Sequence, residues 1–258
     1  MRFRGGKALV FGGPMVTGGG SVGPLPPSGV GSGVFWLSAS SGVSTSGATV
    51  TGWTDQIGGK TATIVGSAPT YDATGLGGEF PGVTFSGGRL TYSIGATLSG
   101  ATSYAVIMVY QDTATATNAY YLFEYGTNGA LNVGEFAVLP NFSADNNLVH
   151  FSPGSAGANR FSSDADTAPM TNVGMATFAC DFTRSSHEIA AVRLNGADLA
   201  GTWNTDTDSS GSTLASATLT VGGSNGGGPV PWPGTIGEFA ILKNPTSADI
   251  AAVEAYFQ

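Results

Sequence analysis

Val34-Phe35-Trp36-Leu37-Ser38-Ala39-Ser40 opens the patterned part of the chain, and Gly234-Thr235-Ile236-Gly237-Glu238-Phe239-Ala240-Ile241-Leu242 closes it. Both are short apolar runs rich in β-formers and bounded by Gly and Ser, which is how strands read. The runs between them have the same character. Tyr104-Ala105-Val106-Ile107-Met108-Val109-Tyr110 is apolar on both faces, as in a central strand covered on each side. Ala119-Tyr120-Tyr121-Leu122-Phe123-Glu124-Tyr125 is similar, and Ala217-Thr218-Leu219-Thr220-Val221 stops at Gly222-Gly223. His187 to Leu194 alternates and then reaches Asn195-Gly196, a two-residue hairpin signal. One helix is predicted over 247–257: Thr246 caps it with Asp249 three residues on, and Ile250, Val253 and Phe257 share a face. Closely spaced strands without alternating helices point to an all-β antiparallel sandwich in one domain.

Composition agrees. Of 258 residues only 10% are charged while 41 are glycine, which suits short strands joined by many turns. The net charge is −8. Three of the nine basic residues, Arg2, Arg4 and Lys7, stand at the N-terminal tip, and no acidic residue precedes Asp55. The body is therefore acidic and unsuited to nucleic acid. No apolar run approaches the ~20 residues that span a bilayer, so no membrane insertion is expected. The run Ala8-Leu9-Val10-Phe11 is broken by Gly12-Gly13-Pro14, too short for a secretory signal. The single cysteine, Cys180, alternates with Phe178 and Phe182 and reads as a buried core thiol.

Residues 1–33 form an extended Gly/Pro-rich arm, with Gly18-Gly19-Gly20 and Pro24-Leu25-Pro26-Pro27. Such a segment does not order on its own. Its Phe3, Leu9, Val10 and Phe11 read as anchors into a neighbouring subunit, with Arg2, Arg4 and Lys7 as charged contacts. A plain solvated tail is the alternative. The sandwich is then residues 34–258.

The order of several short motifs resembles the concanavalin A-like lectin/glucanase (laminin G-like) family. Phe35-Trp36-Leu37-Ser38-Ala39 resembles its opening strand, with Ser38 where Asp is common. Val50-Thr51-Gly52-Trp53-Thr54-Asp55-Gln56, Ala68-Pro69-Thr70-Tyr71 and Pro81-Gly82-Val83-Thr84-Phe85-Ser86-Gly87 resemble its next three signatures. Val192-Arg193-Leu194-Asn195-Gly196 resembles its hairpin, and Gly234 to Phe257 its closing strand and helix. The resemblance implies a jelly-roll sandwich that brings the two ends of the chain together. The tip Met1-Arg2-Phe3-Arg4-Gly5-Gly6, ahead of such a domain, is similar to tailed-bacteriophage structural proteins, where these domains decorate capsids, necks or tail fibres.

The glucanases of this family carry paired carboxylates on one strand, so that acid and nucleophile flank one sugar. No glutamate here has an aspartate two residues later; Glu124, Glu135, Glu188 and Glu238 each stand in apolar or aromatic surroundings. Glu238 falls where the family closes its fold and reads as structural. With only His150 and His187 and no nucleophile elbow, a serine hydrolase is also unsupported. No enzyme is expected. Sugar binding needs an aromatic platform with amide and carboxylate partners. The candidates are Trp232 in a proline-flanked loop, Trp203 with Asn204 in another loop, and Asp145, Asn146 and Asn147 in a third. For Trp232 the alternative is packing over the sandwich edge. No cofactor is expected; the one cation reading is Ca²⁺ at Asp206, Asp208 and Ser210, half of a calcium loop whose twelfth position is Ala217, with a polar turn as the alternative.

These readings converge on a virion structural protein. Its arm would bind other virion proteins in a multi-copy assembly, and its sandwich would offer weak adhesion to a host-surface glycan. A free carbohydrate-binding module or lectin is the alternative, ahead of a glycoside hydrolase.

Overall fold

The first and last strands pair with each other. In the computed structural model, which describes residues 25–113, 120–127, 135–142, 147–151, 160–163, 172–183, 190–204, 213–226 and 232–258, Trp36 lies opposite Ala240 and Ser38 opposite Glu238 in an antiparallel ladder. The first and last described strands thus lie side by side in one sheet.

The strands of the first half are β1 (Gly33–Ser38), β2 (Val43–Ser46), β3 (Thr49–Trp53), β4 (Thr63–Gly66), β5 (Thr70–Leu76), β6 (Phe80–Phe85), β7 (Gly88–Tyr92), β8 (Ser103–Asp112) and β9 (Phe123–Gly126). Those of the second half are β10 (Phe136–Phe142), β11 (Asn147–Phe151), β12 (Arg160–Ser163), β13 (Gly174–Asp181), β14 (Ala190–Leu194), β15 (Ala197–Asp198), β16 (Gly201–Asn204), β17 (Thr218–Val221) and β18 (Gly234–Lys243). A short helix α1 (Gly95–Leu98) follows β7, and α2 (Ser247–Phe257) ends the chain. One sheet has ten strands in the order β15-β14-β13-β8-β18-β6-β5-β3-β2, with β1 also on β18. The other has eight in the order β16-β12-β11-β10-β9-β17-β7-β4.

Alternation decides what lies between the sheets. Phe35, Leu37, Val106, Met108, Phe178, Phe239 and Ile241 of the larger sheet meet Leu90, Tyr92, Phe123, Tyr125, Phe136, Val138, Leu219 and Val221 of the smaller. Rings supply much of this core: Tyr104 stacks on Phe136 at 4.0 Å, and Phe123 meets Phe239 edge-on at 5.3 Å. Cys180 is buried here, where desolvation raises its thiol pKa, as befits an inert core residue. Trp53 donates its indole N–H to the Ser38 carbonyl at 3.0 Å, and Asp55 accepts from the backbone N–H groups of Trp36, Ile57 and Gly58. The Trp-x-Asp signature is therefore a clamp between the first strand and the loop after β3.

The predicted local devices are present. Asn195 and Gly196 both take positive φ (51° and 81°), the conformation of a type I′ hairpin, between β14 and β15. Thr246 and Asp249 exchange both hydrogen bonds of a capping box at the start of α2. This helix lies on the outer face of the larger sheet. There Ala252, Val253 and Phe257 pack on Ala105, Ile107, Ala240 and Leu242.

One boundary differs from expectation. Residues 25–33, assigned to the arm by composition, belong to the sandwich: Leu25 N–H donates to the Ala252 carbonyl at 3.1 Å, Val30 is buried, and a 3₁₀ turn spans Pro27–Gly29. Pro26 and Pro27 have the φ this turn needs, and Pro27 is buried against the body.

Candidate functional site

Strand β18 carries a β-bulge between Ile236 and Glu238 in its pairing with β8. Ile236 and Phe239 both face the core, so the extra residue, Gly237, turns Glu238 outward. Without it, the period of two would send Glu238 into the core beside Ile236. On the outer face Glu238 meets the outward residues of β1. Trp36 donates its indole N–H to Oε2 at 2.8 Å, Ser38 donates its hydroxyl to Oε1 at 2.7 Å, and Ser40 shares a hydrogen bond with Ser38 at 2.8 Å.

Glu238 and Ser40 border an open cavity of about 110 Å³ between the β5–β6 hairpin and α2. Leu76, Phe80, Pro81 and Val109 line one side, and Tyr256 and Phe257 of α2 the other. A Cβ on Gly237 would stand 2.6 Å from Leu76 Cδ2, so the glycine also keeps the floor free. The Tyr256 ring meets Trp36 edge-on at 6.1 Å. Burial in this apolar setting pushes the Glu238 carboxyl up to about 7, against the opposing pull of its hydrogen bonds from Trp36 and Ser38. The Tyr256 phenol is raised by burial and by the charge of Glu238. The arrangement offers one carboxyl that titrates near neutrality, at the edge of an apolar cleft. The sequence signal for it was Gly237, an isolated glycine inside a strand, which marks a bulge.

The outer face of the smaller sheet holds a different set. Glu124 of β9 lies opposite Thr220 of β17 in register, and Thr220 lies opposite Thr91 of β7. Glu124 is 0% exposed and Glu135 is 2% exposed. Thr127 donates its hydroxyl to Glu135 Oε1 at 2.6 Å. The Asn225 backbone N–H donates to Glu124 Oε2 at 3.3 Å, and its side-chain amide donates to the carbonyls of Gly126 and Thr127. The Tyr121 phenol is raised by burial and by Glu124. These enclosed carboxylates tie the β9–β10 and β17 ends together. Their hydrogen-bonding capacity is directed at protein groups.

The sequence-predicted sugar residues separate on folding. Trp232 is not an exposed platform: it is 0% exposed, between Phe85 at 6.1 Å and Tyr110 at 5.9 Å. Its ring lies against Gly234, where any Cβ would collide with it. Trp203 and Asn204 are in strand β16 rather than a loop, opposite Phe161 and Arg160 of β12. Asn147 opens β11 opposite Phe142. Trp203, Asn204 and Asn147 thus share the smaller sheet. Asp145 and Asn146, the cation candidates Asp206, Asp208 and Ser210, and the arm residues Arg2, Phe3, Arg4, Lys7, Leu9, Val10 and Phe11 lie outside the described residues. Among the described residues no three His, Cys, Asp or Glu side chains gather for a metal, and no helix is long and apolar enough to cross a membrane.

No protein-family model and no curated protein sequence matches the chain. Solved structures do. Domain 4 of AbnA, a GH43 extracellular arabinanase from Geobacillus stearothermophilus solved with arabinotriose, aligns at 15% identity and TM-score 0.52, over 80% of this chain and 92% of that one. A structure of botulinum neurotoxin type C, whose cell entry depends on two ganglioside molecules, aligns at 13% identity and TM-score 0.59, over 88% of this chain and 51% of that one. Trypanosoma rangeli sialidase aligns at 13% identity and TM-score 0.56, over 92% of this chain and 35% of that one. The chain thus spans nearly all of the arabinanase domain, about half of the neurotoxin chain and about a third of the sialidase. At these identities the likeness is one of fold, and the fold is an antiparallel β-sandwich.

Proposed function

We propose that this is a non-catalytic virion structural protein, present in many copies. The N-terminal arm would anchor it to other particle proteins, and the sandwich would adhere to a surface glycan. The observation that carries the non-catalytic reading is the state of the carboxylates. Glu238 is engaged by Trp36 and Ser38, Glu135 by Thr127, and Glu254 by Thr177 and Arg193. Glu238 is the one carboxyl among the groups that line its cavity, whereas a glycosidase needs two for acid and nucleophile or base.

The adhesion reading is supported by neighbours of this fold that were solved with, or depend on, carbohydrate. It also keeps Trp203 as its candidate aromatic platform, on strand β16 at the edge of the smaller sheet. The particle reading rests on the arm, which joins a basic, aromatic tip to an acidic body. A free carbohydrate-binding module is the competing reading, favoured by the near-complete overlap with the arabinanase domain. A glycan array probed with the full chain and with Trp203→Ala tests adhesion. The expected result is a glycan signal that the variant loses, and silence across the array would overturn it. Incorporation of the full chain and of a chain lacking residues 1–24 into particles separates the two readings: the anchored protein incorporates only with its arm, whereas a free module incorporates in neither form.

A further inference from the structure

The Glu238 cavity combines three features that the adhesion reading does not use. Its walls are apolar and partly aromatic, with Phe80, Tyr256 and Phe257 on opposite sides. A carboxylate borders it whose two oxygens each accept one hydrogen bond, leaving further acceptor capacity on both. The ion pairs among the described residues join Arg193 to Asp198 and Glu254, so Glu238 has no cationic partner there. An apolar stem suits the walls, aromatic faces attract cations, and the unmatched carboxylate supplies the opposite charge. A cavity of comparable size lined by aliphatic and aromatic groups holds a benzene-sized molecule.

We infer that this cavity is a binding site for a small organic cation, an alkylammonium whose nitrogen meets Glu238 and whose alkyl stem lies between the β5–β6 hairpin and α2. A neutral alcohol of the same shape lacks the charge that Glu238 answers. A sugar makes poor use of walls that offer few hydrogen bonds. Burial raises the carboxyl's pKa, so cation binding is strongest above that titration, where Glu238 is ionised. The site is on the opposite sheet from Trp203 and Asn204, so it stands or falls independently of glycan adhesion.

The test uses the full chain and n-butylammonium as the probe, with n-butanol as the uncharged control. The reporter is the ¹H–¹⁵N signal of the Trp36 indole, identified by its absence in Trp36→Phe, since that N–H donates directly to Glu238. At about pH 8, above the carboxyl's own titration, butylammonium should shift this signal saturably in the millimolar range, and butanol should bind at least ~10-fold more weakly. Glu238→Gln keeps the shape and removes the charge. It should bind the two probes alike, with its retained butanol affinity showing that the cavity is intact. Equal affinity of the native protein for both probes would overturn the proposal. So would an unchanged preference in Glu238→Gln, or no saturation by ~100 mM butylammonium.

Discussion

Glu238 shows how much one side chain can depend on its setting. An ordinary glutamate titrates near 4.5, whereas here burial pushes the carboxyl to about 7. The folded protein therefore holds a proton between those values that the unfolded chain releases. The sign follows from linkage: the stabilisation is fully present below about pH 4.5 and is lost as pH rises through 7. The swing is on the order of 3 kcal/mol. Urea unfolding midpoints should thus fall between about pH 5 and 8 in the native protein. Glu238→Gln, which mimics the protonated acid, should show a markedly flatter profile. Equal slopes for the two proteins would remove Glu238 as the cause. Parity alone places Glu238 and Ile236 on one face of β18, and the outward carboxyl exists only because Gly237 bulges. Trp232 has a parallel history: its proline-flanked loop allowed either a displayed ring or one packed on the sandwich, and the bare backbone of Gly234 gives it an inward berth.

At the level of elements, α2 is the piece that makes the cavity. Its Tyr256 and Phe257 form one wall, and its position is set by three kinds of contact. The capping box of Thr246 and Asp249 begins it. Val253 and Phe257 bury its apolar stripe on the larger sheet. The buried Glu254 accepts from Thr177 at 2.7 Å and pairs with Arg193 at 2.6 Å. Thr246→Ala removes the side-chain half of the cap and should cost about 1 kcal/mol, read as a lower urea midpoint with an unchanged slope. An unaltered midpoint would mean that packing alone holds the helix. The cap and the stripe were legible in sequence because both are local, set by residues three or four apart. The carboxyl–arginine link was not, since Glu254 and Arg193 are brought together only when α2 lies across β13 and β14. The hairpin at Asn195-Gly196 was legible for the same reason as the cap. Strand β16 was not, because Gly201–Asn204 lacks a strong pattern and pairs only through β12.

For the whole molecule, the closure of β1 on β18 makes the sandwich depend on its N-terminal boundary. Leu25 and Val30 pack against α2 and the larger sheet, so the 3₁₀ turn is part of the fold. Removing residues 1–24 should leave the melting temperature nearly unchanged. Removing 1–32 strips Leu25, Pro27 and Val30 from the body and should lower it by several degrees, as a loss of ~1–3 kcal/mol would. Calorimetry of the two truncated chains checks this, and equal melting temperatures would restore the boundary at 33 expected from composition. Short alternating strands, the Asn-Gly turn, the capped helix and the order of motifs that resembles the concanavalin A-like family were all legible before folding. Those features depend on neighbours in the chain, so periodicity and turn chemistry display them. Only the tertiary structure decided which side chains face which space. That Trp232 is core, that Glu124 and Glu135 are enclosed, and that Glu238 borders an open cleft each depend on a glycine's missing side chain, a bulge, or an element docked from a distant part of the chain. Such contacts carry no period, and they exist only once the two sheets and the final helix have closed on one another.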